Sequence, residues 1–260
     1  MAGKHNFAAL KQHATKEYKF KQGASIGELD PSKAAIGNSI TAVKFSADEF
    51  NEIKNGICAA LAANWLKEKL SSAKNPAFSG PSAGGDVHAG RNLDTVRSSV
   101  PKFIAYKQAP STSNILGQYG LAPSPKAASI NPLLNDQVPI TVRSYSERTR
   151  TWTERPSTQA VPKVAESFAN ACTAESLKQG RGVYISISVV GRTPEKPGGG
   201  HAVAAYRSRG NTLYFFDPNC GVYDVTDPGK FFIAFVACYA GIGYDLALDL
   251  RKDGFTYVDR

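Results

Sequence analysis

The chain carries little of what would place it outside a reducing compartment or inside a membrane. There are only four cysteines among 260 residues. They are spaced irregularly, so they form neither a disulfide framework nor the paired C-x-x-C ligands of a zinc site. No metal site is expected from them, and the chain is expected to need no organic cofactor. Long apolar runs are also missing. The most apolar stretch, Phe231 to Gly243, falls well short of the ~20 residues that span a bilayer. No segment near Met1 combines a basic start, an apolar stretch and a small-residue cleavage site, so any export is expected to proceed without a cleaved Sec signal. Histidine is scarce too, at four residues, which leaves few candidates for acid–base chemistry near neutral pH.

What is present is a hydrophobic fraction of 42%, enough for a sizeable core, and a hairpin with chemistry at its end. Gly198-Gly199-Gly200 leads into His201, which heads an apolar strand. Arg207 to Asn211 makes a turn, and Leu213 to Phe216 forms a second strand ending in Asp217-Pro218-Asn219. Apolar runs bounded by Gly, Asn and Pro signal paired strands. Folding back, the hairpin brings an imidazole and a carboxylate together, as required where an acid orients a catalytic histidine. The nucleophile has to come from elsewhere. Asn55-Gly56 is a turn signal, and after it Leu61, Trp65, Leu66 and Leu70 recur at helical spacing among alanines. Cys58 opens that helix, where unpaired N–H groups and the positive end of the dipole favour a thiolate. His5 and His13 lie in a polar region and His88 in a Gly/Ser-rich loop. Cys172, Cys220 and Cys238 read as structural. Each residue of the trio also has a plainer reading, since Cys is a common core residue and Asp-Pro-Asn a common turn; their joint occurrence decides for chemistry.

At these residues the chain resembles the YopT/AvrPphB family of papain-like cysteine proteases, which bacteria inject into host cells. Three segments carry the likeness: G-x-C-x-x-L-x-x-x-W at Gly56 to Trp65, G-H-A-x-A at Gly200 to Ala204, and F-D-P-N-x-G-x-[FY] at Phe216 to Tyr223. It covers Phe45 to Leu70 and Gly182 to Phe235. The resemblance implies a papain-like α+β fold, with a central antiparallel sheet and a nucleophile-bearing helix packed against it. It also implies Cys58 as nucleophile, His201 as general base and acid, and Asp217 as orienting acid, acting through a thioester acyl-enzyme. The expected protein is a secreted virulence effector, delivered to the host cytosol, that cleaves a host protein. A deamidase, transglutaminase or acyltransferase would use the same triad, and a basic interaction protein could keep the fold without turnover.

The oxyanion of an acyl-transfer site needs donors. The Cys58 backbone N–H is one. For a second, neither Asn51 nor Asn55 lies at the spacing upstream of the cysteine that the resemblance implies. Asn51 is the candidate, and Asn55 reads as part of the turn.

The net charge of +9 reads first as a solvated basic surface, and it also suits attraction to an anionic membrane surface or to an acidic, membrane-associated substrate. The basic residues are scattered and no nucleic-acid motif accompanies them, so no specific nucleic-acid partner is expected. Residues 1–40 are polar without sustained periodicity and read as a flexible secretion or targeting segment, followed by a catalytic domain over 41–260. Further along, Ala73 to Asn92 reads as a loop. Leu93 to Lys107 reads as a helix interrupted at Pro101, and Gln108 to Gln137 as a Pro/Ser-rich excursion. Val138 to Thr153 is a strand pair, Val161 to Gln179 a helix, Arg181 to Gly191 a strand beside the hairpin, Phe231 to Tyr239 a buried helix, and Phe255 to Val258 an edge strand.

Overall fold

The computed structural model describes residues 7–30, 45–71, 78, 86–124, 140–146, 151–157, 161–196, 198–248 and 254–259. Its centre is a seven-stranded sheet in which each pairing is antiparallel. The strands are β1 (Ala14–Tyr18), β4 (Arg181–Gly191), β5 (Gly199–Arg207), β6 (Leu213–Asp217), β7 (Gly221–Val225), β8 (Tyr244–Leu248) and β9 (Phe255–Val258). They run in the order β1-β7-β6-β5-β4-β8, with β9 beside the other half of β4. β2 (Ile140–Ser146) and β3 (Thr151–Ser157) form a separate hairpin, matching the strand pair expected over Val138 to Thr153.

Both faces of the large sheet are covered, and the period-two alternation of its strands sorts the core into two halves. Phe216, Ala202, Ala204 and Tyr184 point into one cluster, with Trp65 and Leu61. Phe215, Val203, Val183 and Ile185 point into the other, with Phe168, Phe232 and Phe235. The first face holds α3 (Cys58–Ser71), α4 (Asp86–Gln108) and α5 (Thr112–Gly117); the second holds α6 (Val161–Ala171) and α7 (Pro228–Gly241). α3 is buried on nearly every side, through Ala59, Ala60, Ala62, Ala63, Trp65 and Leu66. It can approach the sheet closely because the strand residues beneath it are small. A Cβ on Gly182 would collide with Leu66. α7 starts on Pro228 with Asp227 accepting from the Lys230 N–H, a proline-first capped start.

The structure corrects three readings. The segment expected to be loosely attached over residues 1–40 is built into the domain where it is described. β1 pairs with β7 from Ala14↔Val225 to Tyr18↔Val222. Phe20 is fully buried against Phe78 and Phe216, and α1 (Gln22–Glu28) follows. Two aromatics and a short strand anchor it through distant partners, which local periodicity does not reveal; residues 1–6 and 31–44 lie outside the described set. Next, α4 begins at Asp86, so His88 is helical, and it continues through Pro101. Proline removes one intrahelical donor, while Val96 and Val100 hold the helix in the core. Finally, α6 ends at Ala171, where the Thr173 hydroxyl bonds the Asn170 carbonyl and accepts from the Ser176 N–H, offering the backbone a turn instead of a helix.

Gly221 closes the β6–β7 turn at φ 115°, and a Cβ there would collide with the Tyr18 carbonyl oxygen of β1. Gly221→Ala should cost about 1–3 kcal/mol from backbone strain alone, and more from the collision. A lowered urea midpoint would show this; an unchanged midpoint would mean that β1 is not held against the turn.

Candidate active site

β5 begins and β6 ends at the same end of the sheet, because they are antiparallel. His201 near the start of one and Asp217 at the end of the other therefore meet, with Nε2 3.0 Å from Oδ1. Both are buried. They share strand parity with Val203 and Phe215, whose face belongs to α7. From α7, Tyr239 donates its hydroxyl to Asp217 Oδ2 at 2.8 Å and lies 3.2 Å from His201 Nε2. The Asn219 N–H donates to Asp217 Oδ1 at 2.7 Å, a local turn bond of the Asp-Pro-Asn segment.

Cys58 arrives from the opposite face. Ser46 and Glu49 form a capping box on α2 (Ala47–Ile53), Gly56 turns the chain at φ 112°, and α3 begins. The first intrahelical bond runs from the Leu61 N–H to the Ile57 carbonyl. The N–H groups of Cys58, Ala59 and Ala60 thus lie in the first turn, without acceptors in the preceding helix. Cys58 Sγ lies 3.9 Å from the Gly200 carbonyl oxygen, beside His201, and is partly exposed. Because His201 Nε2 faces Asp217 and Tyr239, Nδ1 is the ring nitrogen left for Cys58.

The electrostatics favour a charged ring. Burial alone would lower the His201 pKa. The Asp217 carboxylate, the Cys58 thiolate and hydrogen bonds to both outweigh it and raise it to about 10. For Asp217, burial pushes upward. The His201 charge and the bonds from His201, the Asn219 N–H and Tyr239 prevail, holding the carboxyl below its usual range. Burial first, and the Asp217 charge second, push the Tyr239 phenol well up, so it stays a donor. By contrast, burial raises the Cys172 thiol to about 12 despite nearby Arg207 and also raises Cys238. The arrangement can generate a nucleophile at Cys58, carry a proton on His201 and meet an oxyanion with helix-start N–H groups.

Cys58, His201 and Asp217 are therefore brought together, and Asn51 is not. Its side chain is exposed and accepts from Lys54 Nζ at 3.1 Å. Among the described residues, no hydrogen bond ties it to the cluster. The buried side of α2 is the one that carries Ile53, which leaves position 51 facing solvent. Asn55 is exposed in the turn. Sequence reasoning missed Tyr239. The signal was a phenol inside an otherwise apolar helix, since a buried hydroxyl needs a partner.

Sequence comparison with curated proteins gives no match. A solved structure similar to this one is that of the Pseudomonas avirulence protein AvrPphB, at 16% identity, covering 79% of this chain and 93% of that one with a TM-score of 0.42. Residues 38–240 match the model of Peptidase_C58, described as Yersinia/Haemophilus virulence surface antigen. By that match, over most of its length, the chain belongs to the Peptidase_C58 family, the YopT/AvrPphB family of cysteine peptidases.

Proposed function

We propose that this protein is a thiol endopeptidase delivered into host cells, where it cleaves a host protein with Cys58, His201 and Asp217. The observation that carries the reading is the buried His201–Asp217 pair at 3.0 Å, set beside a cysteine in the first turn of a helix. The Cys58 thiolate attacks the scissile carbonyl carbon, and the electron pair moves to the oxygen, which the Cys58 N–H receives. As the tetrahedral intermediate collapses, the C–N bond breaks and the Nδ1 proton of His201 passes to the leaving amine. The thioester remains. His201, now neutral, takes a proton from water, the resulting hydroxide attacks, and the thiolate leaves with the acid product. Asp217 accepts from Nε2–H throughout and holds the ring. The net positive charge supports a membrane-associated substrate or an anionic membrane surface as the place of action. None of the described helices is long and apolar enough to cross a membrane.

The test is intact-mass analysis of host-cell proteins exposed to wild type or Cys58→Ala. The expected outcome is a pair of fragments, summing to one parent, with wild type only. A gain of about 1 Da at a glutamine would make the protein a deamidase, and an added group a transferase, from the same acyl-enzyme. Identical profiles for both forms would leave a basic interaction protein.

A further inference from the structure

The N-terminal segment enters the site through one side chain. Gln22, the first residue of α1, lies before the segment matched by the family model. It is buried, and its three bonds join the two halves of the site. Its backbone N–H donates to the Pro218 carbonyl at 2.8 Å. Its Oε1 accepts from the N–H of Ile57, the residue before Cys58, at 2.9 Å. Its Nε2 donates to Asn219 Oδ1 at 2.9 Å. A Cβ on Gly56 would crowd the same amide, at 3.2 Å from Oε1, so the turn into α3 is shaped around it.

These bonds have a direction that the chemistry fixes. A backbone N–H can only donate, so Gln22 must turn Oε1 to Ile57 and Nε2 to Asn219. Asn219 must then answer with Oδ1, which leaves its Nδ2 to donate to the Tyr239 oxygen at 3.1 Å. With that donor in place, the Tyr239 hydrogen goes to Asp217 Oδ2 at 2.8 Å. Asp217 is thereby kept an acceptor on both oxygens, and His201 Nε2 must be the protonated nitrogen facing it. The chain runs from the residue before the nucleophile, through Gln22, Asn219 and Tyr239, to the carboxylate that orients the base.

We propose that Gln22 is a positioning residue that sets the polarity of this network, and so keeps Nε2–H of His201 on Asp217 and Nδ1 toward Cys58. The proposal rests on the acyl-transfer reading of Cys58 and His201, but its test needs no substrate. Gln22→Met keeps the length and bulk of the side chain and removes both its amide bonds, whereas Gln22→Ala removes bulk as well. Two readouts are followed at near-neutral pH: the iodoacetamide rate at Cys58 by peptide mapping, and, in a Cys58→Ala background, solvent exchange of the His201 Nε2–H by NMR. Gln22→Met should slow alkylation by about tenfold to a hundredfold, the range that small misplacements of a reacting pair cost, and should speed Nε2–H exchange. A wild-type rate and unchanged exchange in Gln22→Met, with loss only in Gln22→Ala, would reduce Gln22 to packing and overturn the proposal. Should Gln22→Met fail to fold, Asn219→Ala cuts the same chain one link on while the Gln22–Ile57 bond stays. Slow alkylation there supports the proposal, and wild-type behaviour overturns it. If no protein is cleaved by wild type, the protease reading falls, and these two readouts still decide on Gln22.

Discussion

Replacing His201 with alanine should reduce kcat/KM on a cleaved substrate by a factor on the order of 10⁴–10⁶. In the proposed mechanism the ring is both the cation that pairs with the Cys58 thiolate and the carrier of the proton delivered to the leaving amine. His13 sits in the turn between the short helical segment Phe7–Gln12 and β1, where its carbonyl accepts from the Thr226 N–H beyond the far end of β7. The same substitution leaves Asp217 as a fully buried carboxylate that has lost its ion-pair partner. Breaking a buried pair by removing one member costs about 3–5 kcal/mol, so His201→Ala should also be less stable. That loss has a pH signature. His201 is raised to about 10 in the folded protein, against burial, by Asp217 and Cys58. Its protonation therefore stabilises the fold fully below about pH 6.5, and the contribution fades as pH rises through about 10. Asp217 is held below the ordinary carboxylate value. Its contribution is present above about pH 4 and is lost as pH falls further. The stability gap between wild type and variant, measured by urea unfolding, should be widest between about pH 4 and 6.5 and should close toward pH 10. A gap that widens above neutrality would mean that His201 is neutral in the native protein.

At Asp217 the two obvious substitutions should separate. Asp217→Ala removes the acceptor of His201 Nε2–H and frees the ring to rotate, for a loss on the order of 10²–10⁴ in kcat/KM. Asp217→Asn retains an amide oxygen that can accept the same bond, and should keep at least about tenfold more activity than the alanine variant. In the proposed thiol mechanism the charge matters less than in a serine triad, because a Cys58 thiolate itself stabilises a cationic ring. Tyr239 tempers this: its hydroxyl donates to Asp217 Oδ2, where an asparagine would present an N–H, so the Asp217→Asn variant should remain below wild type. Loss of the carboxylate also removes the main charge that raises His201, so the alkaline limb of activity in both variants should move to lower pH. The measurement is kcat/KM across pH for wild type and both variants, with folding checked by circular dichroism. Near-wild-type activity in both folded variants would make Asp217 a turn residue and place the orienting group elsewhere.

The amino-acid sequence by itself determined the three residues of the candidate site and the elements that carry them. Cys58 after an Asn-Gly turn, His201 at the head of an apolar strand, and Asp217 before Pro-Asn are each set by residues within a few positions. So are the strand at Arg181 to Gly191 and the apolar helix around Phe231 to Tyr239, whose periodicity is local and strong. Tertiary structure decided which residues bond to the His201–Asp217 pair and to the turn before Cys58. Gln22 and Asn219 meet across a sequence separation of 197, Gln22 and Ile57 across 35, and Tyr239 and Asp217 across 22. A hydrogen bond between distant residues leaves no periodic trace, and a glutamine in a polar stretch looks the same whether it is solvated or buried. For the same reason the polar N-terminal stretch reads as loosely attached, although β1 and Phe20 fix it to the sheet. Asn51 shows the converse: an amide in a plausible place along the chain was turned to solvent by the helix face on which it fell.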